Sequence, residues 1–168
     1  MKTNDEFVEP SDLDWARLAA YVDGEGSILI NERNGDGRTN WGSWLRLIIC
    51  NTDPRLILWL KKTFGGNVVC GRKRAKTCHR YQLKWHVSCR QAYALLKGCY
   101  PYLICKKDQA ECAFAYQESI RGPGHRVAPE TNAFRMNMRL KLKDLRWKAY
   151  PLEELENMAH DLKNKEIT

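Results

Sequence analysis

The chain has 168 residues, a formal net charge of +8 and a pI near 9.2. That length supports one domain with a real core, and no apolar stretch approaches the ~20 residues of a membrane span or has the pattern of a signal peptide. The charge favours a polyanionic partner, nucleic acid first.

Seven cysteines at positions 50, 70, 78, 89, 99, 105 and 112 form an odd set without a Cys-x-x-Cys pair. This argues against a disulfide framework and for a reducing, intracellular compartment, either a prokaryotic cytoplasm or an organelle. Cys70, Cys78, His79 and His86 match none of the usual short zinc-ligand spacings.

Residues 1–10 read as a loose tail. Ser11 is a candidate helix N-cap, with Asp14 placed to complete the cap, and Trp15, Leu18, Ala19 and Val22 follow the helical period. Gly24 and Gly26 are expected to stop this helix. Residues 27–33 alternate as a strand, Asn34-Gly35-Asp36-Gly37 signals a turn, and residues 43–50 make a second strand. Asn51-Thr52-Asp53-Pro54 opens a helix carrying Leu56, Ile57, Leu60 and Phe64, which ends at Gly65-Gly66.

A second cycle follows. Residues 67–72 and 79–87 read as a hairpin with the basic tip Arg72-Lys73-Arg74-Ala75-Lys76. Ser88 can cap a helix running to about Gly98, and residues 106–119 form another. Residues 121–132 read as a connector. Beyond it Phe134, Met138, Leu142 and Leu145 share a helical face amid basic residues, and Pro151 opens a last helix. The fold class is α+β, an antiparallel sheet built by two helix–hairpin cycles, with 11–120 as core and 121–168 as a helical extension of the same domain.

The most informative stretch is Leu18-Ala-Ala-Tyr-Val-Asp-Gly-Glu-Gly26, followed by Ser27 and an alternating run. A helix of small and apolar residues can bring two backbones close together while its end delivers a carboxylate to a shared site. The segment from Trp15 to Ser27 resembles the signature of the LAGLIDADG homing endonucleases, with Ala20 in place of the usual glycine and Glu25 in place of the commoner aspartate. A second segment, Tyr100 to Ala110, resembles the family's Pro-Phe-Leu, lysine-rich and Gln-Ala run.

The resemblance implies an αββαββα fold with a saddle-shaped sheet and added C-terminal helices. It also implies a Mg2+-dependent, site-specific DNA endonuclease, with Ca2+ or Mn2+ as substitutes for Mg2+. One motif copy implies a homodimer on a long, near-palindromic duplex, joined through Trp15, Leu18, Ala19, Tyr21, Val22 and Asp23. By the same match Glu25 is the metal ligand and Gly24 offers a backbone carbonyl. Lys106 falls on the active-site lysine, with Lys107 as its neighbouring candidate. Asn51 lies near the position where relatives place a water-holding glutamine; read without the resemblance, it is an N-cap ahead of Pro54.

Strand alternation separates a polar, basic face from an apolar one. The first holds Leu29, Asn31 and Arg33, then Trp44 and Arg46, then Arg80, Gln82, Lys84 and His86. This face suits a major groove, and Arg72, Lys73, Arg74 and Lys76 at the hairpin tip suit phosphates. An intron RNA maturase on the same scaffold is the alternative function, with intron RNA as partner, and a DNA-binding regulator without cleavage is a further one.

Overall fold

The computed structural model describes residues 9–32, 42–71, 81–120, 127–148 and 150–165. The elements run α1 (Asp12–Glu25), β1 (Gly26–Glu32), β2 (Ser43–Asn51), α2 (Pro54–Phe64), β3 (Asn67–Cys70), β4 (Leu83–Ser88), α3 (Cys89–Cys99), a 3-10 turn (Tyr100–Tyr102), α4 (Lys107–Glu118), α5 (Pro129–Arg146) and α6 (Leu152–Lys165).

The first helix starts on a full capping box. Ser11 Oγ accepts from the Asp14 backbone, and the Asp14 carboxylate accepts from the Ser11 backbone at 3.1 Å. Contrary to expectation, α1 runs through Gly24 and ends only at Gly26. A Cβ at Gly24 would meet nothing within 4 Å, whereas one at Gly26 would lie 2.6 Å from the Val22 backbone. Gly26 is therefore the residue that lets β1 leave so tightly from the helix end.

The four strands form one antiparallel sheet in the order β1-β2-β4-β3. The register sets Ser27 beside Ile48, His86 and Asn67, Leu29 beside Arg46 and Ser88, and Asn31 beside Trp44. Neighbours in a register row share a face. The opposite face presents Ile28, Ile30, Leu45, Leu47, Ile49, Trp85 and Val87, all buried under the helices. The Trp85 indole satisfies its one donor on the Gly65 carbonyl at 2.8 Å.

Two glycines at the end of α2 have positive φ, +71° at Gly65 and +78° at Gly66, and a Cβ at Gly66 would strike Val87. The α2 N-cap is Asp53, whose carboxylate accepts from the Arg55 backbone at 2.9 Å. Ser88 stands at the N-cap position of α3 but makes no side-chain cap bond.

The connector is shorter than expected, because α5 already begins at Pro129. This helix lies along α4 and the outer strand β1. Leu142 is buried, Arg139 pairs with Glu32 at 2.8 Å, and Arg135 donates to the Ser119 carbonyl at 2.6 Å. By contrast, residues 152–160 of α6 are exposed throughout.

Candidate active site and nucleic-acid interface

The end of α1 carries two acids, Asp23 and Glu25, and no base in its last turn. Acids there oppose the helix dipole, and the last carbonyls lack partners. Both problems are met from the loop between α3 and α4. Lys106 Nζ donates to the carbonyls of Val22 (2.7 Å), Asp23 (2.9 Å) and Gly26 (2.8 Å). In return the Asp23 carboxylate accepts the backbone N–H of Ile104 (2.7 Å) and of Lys106 (3.0 Å). Burial holds the Lys106 ammonium below the ordinary lysine range, against the opposing pull of Asp23.

This arrangement locates two of the expected residues. Lys106 does sit at the site, but its three ammonium protons are spent on carbonyls at the end of α1 rather than turned toward a phosphate. Lys107, the neighbouring candidate, is exposed, with Nζ 5.8 Å from the centre of the Tyr100 ring. Asp23 is occupied within its own chain.

Glu25 is exposed beyond this clamp. Its carboxylate accepts one hydrogen bond, from Asn51 Nδ2 at 2.7 Å, across from the end of β2. Asn51 Oδ1 in turn accepts the Asp53 N–H at 2.8 Å. The N-cap reading of Asn51 is corrected, because Asp53 holds that position; Asn51 stands two residues earlier and joins Glu25 to the Asp53 backbone. The Asp53 carboxylate is gripped by the Arg55 guanidinium at 2.6 and 3.1 Å, which with the Arg55 backbone N–H holds its pKa down at about 2. Nothing in the sequence marks Arg55 except its position four residues after Asn51.

The expected dimer contacts need revision. Leu18, Ala19 and Val22 are fully buried in the chain's own core. Trp15 is half-buried against Phe64, with ring centres 5.3 Å apart, and against Gly98, where an added Cβ would lie 2.5 Å from the indole. The exposed side of α1 shows Tyr21, one of the expected contacts, together with Leu13, Arg17, Ala20 and Gly24, with Ala16 half-buried. Small residues four apart at 16, 20 and 24 were a legible signal for this face. Beside it lies an open groove of about 650 Å³ lined by Arg17, Tyr21, Asn51, Asp53, Arg55, Leu56 and Trp59.

The helix-free face of the sheet carries Leu29, Asn31, Trp44, Arg46, Lys84 and His86 together, as strand alternation requires. Gln82 is exposed just before β4. Arg33, Arg72, Lys73, Arg74, Lys76 and Arg80 lie outside the described residues, as do Cys78 and His79. Arg46 Nε and His86 Nδ1 are shielded from solvent and have no hydrogen-bond partner among the described residues. Burial, with the charges of Arg46 and Lys84, holds His86 below the ordinary imidazole value.

Comparison with solved structures places this architecture. The chain superposes on the homing endonuclease I-CvuI, solved with its DNA target in the presence of calcium, at TM-score 0.65 and 20% identity, covering 80% of this chain and 82% of that one. It superposes on the archaeal intron-encoded homing endonuclease I-Vdi141I, solved with DNA, at TM-score 0.63 and 13% identity, covering 94% and 99%. The chain has the fold of the LAGLIDADG homing endonucleases. Against the LAGLIDADG enzyme I-SmaMI, bound to cleaved DNA, TM-score and identity are 0.57 and 19%, and this chain matches only 43% of the longer one. No family model and no curated protein matches the sequence.

The residues present fit a hard divalent cation. Glu25 is exposed and ionisable, and the space around Gly24 is open. Among the described residues no three His, Cys, Asp or Glu side chains converge on a possible ion site. A single carboxylate is compatible with Mg2+, which keeps several waters and takes substrate phosphates as ligands. The six described cysteines are free thiols, and no described helix is long and apolar enough to cross a membrane.

Proposed function

We propose that this chain is a site-specific, divalent-metal-dependent DNA endonuclease acting as a homodimer. The observation that carries the reading is the exposed Glu25 carboxylate, fixed at the end of α1 where the helix also exposes its small-residue face. Packing two copies through Ala20 and Gly24 about a two-fold axis brings both Glu25 side chains toward that axis, one for each DNA strand.

Glu25 and the Gly24 carbonyl hold the ion, with Mg2+ as the working metal and Ca2+ or Mn2+ as substitutes. When bound, such an ion supplies charge stabilisation for the attacking and leaving oxygens of phosphodiester hydrolysis. The chain's own residues do the rest. Asp23 and Lys106 lock the helix end. The open sheet face aligns the duplex, with Arg46 and Lys84 suited to guanine edges and Asn31 and Gln82 to adenine.

The test is a cleavage selection from a randomised duplex pool, with Mg2+ or with EDTA. The expected result is a set of ends related by two-fold symmetry that appears only with Mg2+. Absence of cutting together with selective retention of intron RNA would instead support the maturase reading.

A further inference from the structure

The Glu25–Asn51 contact carries more than proximity. An asparagine amide has one accepting and one donating end. The accepting end of Asn51 is claimed by the Asp53 N–H at 2.8 Å, at the start of α2. The donating end therefore faces Glu25, and it does so at 2.7 Å. Glu25 belongs to α1 and Asn51 to the end of β2, so the contact ties the carboxylate to a second element. Asp23 and Lys106 fix the backbone at the end of α1 but touch no atom of the Glu25 side chain in the hydrogen bonds described. A glutamate has three side-chain torsions, and an exposed one samples many rotamers unless something holds its head.

We propose that Asn51 is a positioning residue for Glu25, the two side chains acting as one unit whose combined length spans the gap between the ends of α1 and β2 and so holds the carboxylate still. The unit is anchored through Asp53, which is itself braced by Arg55. The proposal rests on the endonuclease reading for its consequence in cleavage, but not for the contact. Shortening Glu25 by one methylene withdraws the carboxylate from the amide, and lengthening Asn51 by one methylene restores the reach.

Two experiments decide it. The first needs no metal and no DNA. Glu25→Ala, Asn51→Ala and the double variant are unfolded with urea in EDTA. The expected losses are less than additive, by about two- to five-fold in the folding equilibrium constant. Strict additivity overturns the contact.

The second is a length exchange. Glu25→Asp and Asn51→Gln each lower Mg2+-dependent cleavage by about a hundred-fold, the cost of displacing a reacting group by roughly an ångström. The double variant Glu25→Asp/Asn51→Gln recovers to within about ten-fold of wild type, a rescue that loss of local structure cannot produce. Asn51→Asp keeps an acceptor for Asp53 but has no donor for Glu25, so it cuts as poorly as Asn51→Ala. A double variant no better than the worse single one, or an active Asn51→Asp, overturns the positioning role. If wild type cuts no DNA at all, the endonuclease reading fails, and the EDTA cycle still decides whether the pair exists.

Discussion

Replacing Lys106 with methionine keeps most of the aliphatic stem and deletes the ammonium. In wild type that ammonium donates to three carbonyls at the end of α1, at 2.7 to 2.9 Å. Hydrogen bonds to a charged group contribute about 1.5–3 kcal/mol each when both partners are dry. Lys106 is half-buried, so water competes for part of that, and about 1 kcal/mol per bond is the better figure. The expected loss is about 3 kcal/mol, which for a chain of this size lowers Tm by about 6–12 °C. Urea unfolding with tryptophan fluorescence measures it, and Lys107→Met, at an exposed position, should cost under about 0.5 kcal/mol. Cleavage should fall in Lys106→Met as well, because Gly24 and Glu25 lie within the clamped turn. A Lys106→Met protein as stable as Lys107→Met yet inactive would refute the clamp and turn the ammonium back toward phosphate.

Further outcomes follow from burial and from the sheet. Ala20→Trp should give a folded, inactive monomer by sedimentation, whereas Ala19→Trp, at a fully buried site, should fail to fold at all. Arg46→Ala should relax base preference at one position per half-site in a cleavage selection, by about 1–3 kcal/mol, while leaving other positions unchanged. Alkaline pH should destabilise the fold: burial pushes the Cys99 thiol up to about 12, and Cys50, Cys112 and Tyr116 upward too. The unfolded chain then releases protons above its ordinary thiol value of 9.0 that the folded chain retains, so stability falls as pH rises from there toward 12. Lys106, with its lowered value, contributes in the opposite sense. Urea midpoints at mildly and strongly alkaline pH measure the net fall, and Cys99→Ala should reduce it.

Much of the fold was legible because its signals are local. The Ser11 cap, Pro54, the Gly65-Gly66 stop and the period-two alternation around Trp85 each act over a few residues. The outward side of α1 is marked by the small residues at 16, 20 and 24, but the apolar period of Leu18 and Val22 does not say whether that face meets the chain's own sheet or a partner. Only the sheet decides which side it covers. The direction of the Lys106 side chain was hidden for another reason: its acceptors lie some 80 positions earlier in the chain. The Asn51 amide bridges two elements, so its role required both ends of the bridge. In α6, Leu152, Leu155 and Met158 give a clear amphipathic pattern, yet the helix leaves them exposed. Periodicity specifies a face without specifying what covers it.

The central claim is that Glu25 is the carboxylate of a DNA-cutting site. The most direct measurement compares wild type and Glu25→Gln on one selected duplex, scoring binding by gel shift in Ca2+ and strand cleavage in Mg2+. The account predicts binding within about three-fold of wild type, since one neutralised carboxylate leaves the sheet contacts to DNA intact, and no detectable cleavage. Substantial Mg2+-dependent cleavage by Glu25→Gln would contradict it.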